Sequence, residues 1–183
     1  MYGGGTEWVK RELSFREATD TDVDKLLELV NTAYDREKQW KKGERTNREE
    51  LLNYISSPTS CILVGYAQAN EREETEGVSV VTKEMVSSIL LRIPNSEACF
   101  FGMLSVWPHL QDRGIGKETL IYAERYVKEV KGCNAMECVV ADFNSHLFPY
   151  YEKKGYTKVG EEPWQSDVLL VPAFFCRYRK ELN

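Results

Sequence analysis

The sequence predicts one α/β domain: a mixed central sheet flanked by helices on both faces. Three observations carry that prediction. Strand-like and helix-like periodicities alternate in the order βααβββαβαβ with a further closing strand, the pattern of a layered α/β sandwich. The 183 residues are 42% hydrophobic and 29% charged, ordinary for a globular chain able to bury one core. No internal repeat, low-complexity tract or composition shift divides residues 13–183, which read as one domain behind a flexible segment at 1–12.

The elements follow in order. Leu13 to Ala18 alternates apolar and polar residues as a short strand. Thr19 to Asp22 offers helix N-caps, and Val23, Leu26, Leu27, Val30, Ala33 and Tyr34 recur at helical spacing. Asp35 to Arg45 is polar apart from Trp40 and reads as a loop. Thr46 and Glu49 form a capping box for a second helix, which Ser57-Pro58 stops. Cys61 to Tyr66 is a buried strand. Asn70 to Gly77, almost all charge, is a solvated hairpin loop. Val86 to Ile93 and Ala98 to Val106 are strands. Lys117 to Lys131 is the best helix, its stripe formed by Leu120, Ala123, Val127 and Val130. A strand at Met136 to Ala141, a short helix near Leu147 to Lys154, a strand at Tyr156 to Gly160 and a closing strand at Phe174 to Arg179 complete the sheet.

Bulk chemistry narrows the partners. A formal net charge of −5 gives no electrostatic support to a nucleic-acid partner. Met1 to Leu13 lacks the apolar run of a signal or membrane anchor, so a cytoplasmic protein without membrane contact is expected. The five cysteines form no CxxC and read as reduced structural thiols, with no metal site.

The sharpest feature is the passage from strand to helix at Leu104-Ser105-Val106, then Trp107-Pro108-His109-Leu110, then Gln111-Asp112-Arg113-Gly114-Ile115-Gly116-Lys117. Gly114 and Gly116 permit a tight turn and leave room for a ligand. The following helix start presents unpaired amides and roughly half a positive charge, a ready site for phosphate. Arg113 and Lys117 add cations. The loop is neither GxxxxGK(S/T) nor GxGxxG, which excludes a Walker A loop and a dinucleotide fingerprint. By itself a GxG turn needs no ligand.

The surroundings add to it. Gln111-x-x-Gly114-x-Gly116 resembles the (Q/R)xxGx(G/A) acetyl-CoA motif of the GNAT superfamily of N-acetyltransferases. Asn144, Tyr151, Gly155 and Tyr156 resemble that superfamily's N-x6-Y-x3-G-(F/Y) segment, in family order and with the expected helix and strand between. The likeness extends from about Leu13 to Gly160. It implies an acetyl-CoA-dependent N-acetyltransferase fold and activity, the acetyl group passing to a primary amine by direct attack in a ternary complex.

Position by position, the resemblance implies that the backbone of Leu104, Ser105 and Val106 holds the pantetheine arm. Gln111 to Lys117 would bind the pyrophosphate, and Asn144 the pantetheine or adenosine half. Tyr151 would act as acid toward the departing thiolate, with Tyr150 its competitor. Asn144, Leu147 and Tyr151 share a face if their helix is continuous, which Pro149 puts in question. Many family members place a Glu or His where this chain has Phe100 to Met103. With none there, Glu97 and Glu137 are the candidate bases, acting through water, and a covalent relay through Cys138 is possible. His109 and His146 read as solvent-facing. Asp35 to Arg45 and Glu161 to Ala173 are the segments expected to choose the acceptor, a small-molecule or peptide amine. The protein is expected to be a monomer or homodimer. A catalytically inactive acetyl-CoA-binding or sensor module is the alternative.

Overall fold

The computed structural model describes residues 13–69 and 82–182. The expected flexible segment at 1–12 and the expected loop at Asn70 to Gly77 lie outside them. One sheet has seven strands: β1 (Ser14–Glu17), β2 (Ser60–Ala69), β3 (Thr82–Arg92), β4 (Cys99–Val106), β5 (Ala135–Ala141), β6 (Thr157–Pro163) and β7 (Phe174–Glu181). Their spatial order is β1-β2-β3-β4-β5-β7-β6. Only β4 and β5 are parallel among these neighbours. The last strand, β7, inserts between β5 and β6.

Alternation along the strands sorts side chains to two faces. Ile62, Val64 and Leu90 meet α1 (Val23–Ala33) and α2 (Arg48–Ser56) through Leu26, Leu29, Val30 and Leu51. Cys61, Leu63, Ile89, Leu91 and Phe101 meet α3 (Ile115–Glu129) and α4 (Phe148–Glu152) through Leu120, Ala123, Val127 and Tyr151. Helices therefore cover both faces, as the periodicities predict.

Three local expectations change. The cap of α2 is Asn47, whose side chain accepts from the Glu50 amide at 2.9 Å. Thr46 instead donates to the Glu50 carboxylate at 2.8 Å, so the box is displaced by one residue. Val130, expected in the α3 stripe, is 63% exposed because α3 ends at Glu129. The polar Asp35 to Arg45 segment begins with a 3-10 turn over Asp35–Gln39.

What positions the site is a fault between β4 and β5. They pair only at Cys99↔Met136 and Phe100↔Glu137, although each strand continues. The β3–β4 register shifts between Ser88 and Leu90, and there Met103 takes a left-handed φ of 46°. Cys99 and Phe101 face the α3 side, yet Met103 lies in the opposite core. An inserted residue of this kind bends a strand and increases its twist. That bend carries Leu104 to Val106 away from β5 and opens a wedge.

Candidate active site

The wedge leads into a cleft of about 520 Å³ that runs to the start of α3. Gly114 caps that helix with φ 85°, a conformation that suits glycine. Gly116 is already helical; a Cβ there would meet only the Val106 Cγ2, at an ordinary 3.6 Å. The fold therefore has room for a Cβ at Gly116, which faces the cleft. Leu110, Val106 and Ile115 pack in a small separate core that fixes the loop. Gln111 ties it back to the strand, Nε2 donating to the Val106 carbonyl at 3.2 Å.

Of the residues singled out from sequence, Leu104, Val106, Gln111, Asp112, Gly114, Ile115, Gly116, Lys117, Asn144 and Tyr151 line this cleft. Arg113 is exposed beside it. Ser105 turns inward, fully buried, its hydroxyl donating to the Met103 carbonyl at 3.0 Å. Its side chain serves the bulge.

A smaller cavity of about 130 Å³ lies in the wedge itself, between Phe100–Leu104 and Cys138–Ala141. Six residues line both spaces: Tyr34, Glu37, Leu104, Asn144, Leu147 and Tyr151. Tyr151 is 7% exposed, and burial holds its phenol well above the ordinary value. Rings of Phe101, Tyr150, Tyr156 and Tyr178 surround it at 5.3–6.2 Å between centroids. Tyr150 differs: it reaches the cleft, but its hydroxyl is sealed from solvent and has no hydrogen-bond partner among the described residues.

Pro149 falls in the first turn of α4, where its missing N–H costs nothing. Asn144 sits earlier, in a 3-10 segment at φ −100° and ψ 27°. Asn144 and Tyr151 thus do not share one continuous helix, and they converge through the chain bend instead.

Glu37, which the sequence did not single out, lines both spaces. Its carboxylate accepts from Asn144 Nδ2 at 3.1 Å. Burial pushes its pKa up, opposed by the nearby Arg45 and Lys41 charges. It was hidden in a polar run, and the one signal was Trp40 three residues on. The two candidate bases lie elsewhere. Glu97 is exposed before β4 begins, some ~23 Å along the strand from Leu104 at ~3.3 Å per residue. Glu137 accepts from Arg179 Nη1 at 2.6 Å, held in an ion pair across β5 and β7. Cys138 does border the wedge, but burial lifts its thiol to about 12, which leaves too little thiolate for a covalent relay. His109 and His146 are exposed, the latter at the cleft rim.

The two segments expected to choose the acceptor touch each other. Lys41 and Leu169 form an antiparallel bridge, and the Leu170 amide donates to the Trp40 carbonyl at 2.8 Å. Trp40 stacks on Phe143 at 4.7 Å, and Trp164 on Phe175 at 4.5 Å. Together they roof the wedge with aromatic surface.

A bulged, splayed pair of parallel strands facing a glycine-capped helix start defines an acyl-transferase type of α/β site. Residues 23–156 match the model of the Acetyltransferase (GNAT) family, and the chain belongs to that family of acetyltransferases. No curated protein matches it in sequence. Among solved structures, a spermidine N-acetyltransferase from Vibrio cholerae in complex with CoA and spermine aligns with TM-score 0.72 and 16% identity, covering 93% of this chain and 95% of that one. An IAA acetyltransferase from Bacillus cereus aligns with TM-score 0.61 and 15% identity, covering 93% and 100%. At such identity these likenesses speak to the fold. No helix among the described residues is long and apolar enough to cross a membrane.

Proposed function

We propose that the protein moves the acetyl group of acetyl-CoA to a primary amine by direct attack, both substrates being bound in the wedge between β4 and β5. The observation that carries this reading is the continuity of that wedge: unpaired β4 backbone joins the α3 start to Glu37 and Tyr151. Free strand-edge groups suit the amides of a pantetheine arm. The first amides of α3, with Lys117 beside them, suit a pyrophosphate. Acetyl-CoA supplies an activated acetyl thioester.

Glu37 then supplies the proton acceptor absent from Phe100 to Met103. An alkylammonium near ~10 must lose its proton before attack, and a carboxylate raised by burial is better matched to take it than an exposed one. As the amine nitrogen bonds to the carbonyl carbon and the carbon–sulfur bond breaks, negative charge gathers on sulfur. Tyr151 offers that sulfur a hydrogen bond. A free phenol near ~10 already exceeds a thiol near ~8.5, and burial raises Tyr151 further. Full proton transfer is uphill, and a stabilising hydrogen bond is the better description.

The reading of an inactive acetyl-CoA-binding module rested on the lack of a strand carboxylate, and Glu37 weakens that ground. The test is CoA release with acetyl-CoA and a panel of polyamines, amino sugars, amino acids and peptide amines, alongside acetyl-CoA titration by thermal shift. Binding without CoA release from any amine would favour the module.

A further inference from the structure

The smaller cavity holds two opposite charges that do not neutralise each other. Glu37 and Arg45 both line it, and the Arg45 charge acts on the Glu37 carboxylate. Yet among the described residues no ion pair within 4.0 Å joins them. Arg45 Nε is buried without a hydrogen-bond partner, a costly state for a charged donor. The guanidinium carbon sits 5.0 Å over the Tyr34 ring. Its backbone is fixed as well: Asn31 Oδ1 accepts from the Arg45 and Thr46 amides at 3.0 Å, while Asn31 Nδ2 donates to the Thr46 carbonyl at 3.1 Å. Arg45 is thus a cavity-lining arginine with a fixed backbone and no carboxylate partner within 4.0 Å among the described residues.

Lys41 adds a second buried cation near Glu37, its ammonium donating to the Glu44 carbonyl at 3.1 Å. Lys41 lies outside the cavity lining, which carries one cation, Arg45, and one carboxylate, Glu37; that pairing suits an acceptor with both an amine and its own anion. The space is small, about 130 Å³, or roughly four water volumes of ~30 Å³. Trp164 and Phe175 close it with apolar surface.

We propose that the acceptor is a zwitterion of amino-acid type with an apolar side chain: its amine faces Glu37, its carboxylate pairs with the Arg45 guanidinium, and its side chain meets the Trp164–Phe175 face. This rests on the acetyl-transfer reading above. Arginine matches a carboxylate in a planar two-point fork that lysine cannot reproduce.

The test compares apolar amino acids with their amides, their decarboxylated amines and spermidine, measuring CoA release. Free amino acids should exceed their amides by roughly 10²-fold in kcat/KM, the scale of a buried charge-assisted pair. Arg45→Lys should raise KM for the amino acid at least ~10-fold with a smaller change in kcat, and Arg45→Met should bring the acid-to-amide ratio near one. A retained acetyl-CoA thermal shift shows that a variant is folded, and Arg45→Lys serves if Arg45→Met is not. Amides or spermidine used as well as the acids, or an unchanged ratio in a folded Arg45 variant, would overturn the zwitterion while leaving acetyl transfer standing. Acetyl-CoA binding with no acceptor turned over would remove both.

Discussion

Replacing Glu37 by Gln keeps its size and an oxygen to accept from Asn144, which now bonds the carboxylate at 3.1 Å. It removes only the charge and the proton-accepting ability. A positioned base contributes ~10²–10⁴-fold, and Glu37 lines both the cleft and the wedge. The expected loss in kcat/KM is therefore at least ~10², with acetyl-CoA affinity nearly unchanged. Glu97→Gln and Glu137→Gln should each cost less than ~10-fold, since one is remote and the other is held by Arg179. The pH profile separates a base from a spectator. Burial raises the Glu37 pKa, so in wild type kcat/KM should fall as pH drops through a value above the ordinary carboxylate range. That acid limb should vanish in Glu37→Gln. The rise above pH 7 tracks free amine and should persist. A Glu37→Gln enzyme within ~10-fold of wild type, or one with the same acid limb, would refute the assignment.

Three further outcomes are expected. Tyr151→Phe should lower kcat by at least ~10²-fold with acetyl-CoA affinity retained; Tyr150→Phe, which deletes a sealed and unpartnered hydroxyl, should leave kcat alone and raise stability by about 1 kcal/mol in chemical denaturation. Equal kinetic effects would mean the wrong tyrosine has been chosen. Gly116→Val should keep the apo melting temperature, since only Val106 Cγ2 stands near a new Cβ, yet abolish the thermal shift with acetyl-CoA; a preserved shift would put the pyrophosphate elsewhere. Asp22 accepts from Arg16 at 2.6 and 2.8 Å, from the Thr19 amide at 2.8 Å and from Tyr66 at 3.0 Å, which holds its pKa below the usual carboxylate range, the Arg16 hydrogen bond being the largest cause. Because the folded pKa is depressed, its stabilisation is present above the unfolded value near ~3.9 and is lost as pH falls below it. Asp22→Asn should cost about 2 kcal/mol at neutral pH, and its deficit in urea melts should shrink below pH ~4; a deficit constant with pH would assign the cost to packing.

Sequence periodicity made the sheet legible because each strand and helix buries one repeating face, and that demand is local. The glycine-capped start of α3 was legible for a related reason. A glycine-capped helix start binds phosphate through its own backbone, so its residues adjoin in sequence as they do in space. Three things escaped. The insertion of β7 between β5 and β6 depends on which strand edges remain free once the others have paired. The Met103 bulge puts its positive φ on a methionine and not on the neighbouring Gly102, so residue type does not announce it. Glu37 becomes special only after burial, and nothing in Asp35-Arg36-Glu37-Lys38 distinguishes one carboxylate from its neighbours.

These omissions have a common physical origin. The proposed cofactor end of the site is built from one continuous segment, whereas the proposed acceptor end is assembled where distant segments meet: Trp40 beside Leu170 through a backbone bond, Glu37 beside Asn144 through a side chain. A carboxylate has an ordinary pKa on an exposed turn and an elevated one when aromatic surface excludes water from it. Phe143, Trp164 and Phe175, which line the two spaces that Glu37 borders, lie more than a hundred residues beyond it in the chain. The raised pKa of Glu37 is therefore a property of the closed pocket. Substitutions in the 161–173 segment that loosen the roof should lower its pKa and activity together without touching the carboxylate itself.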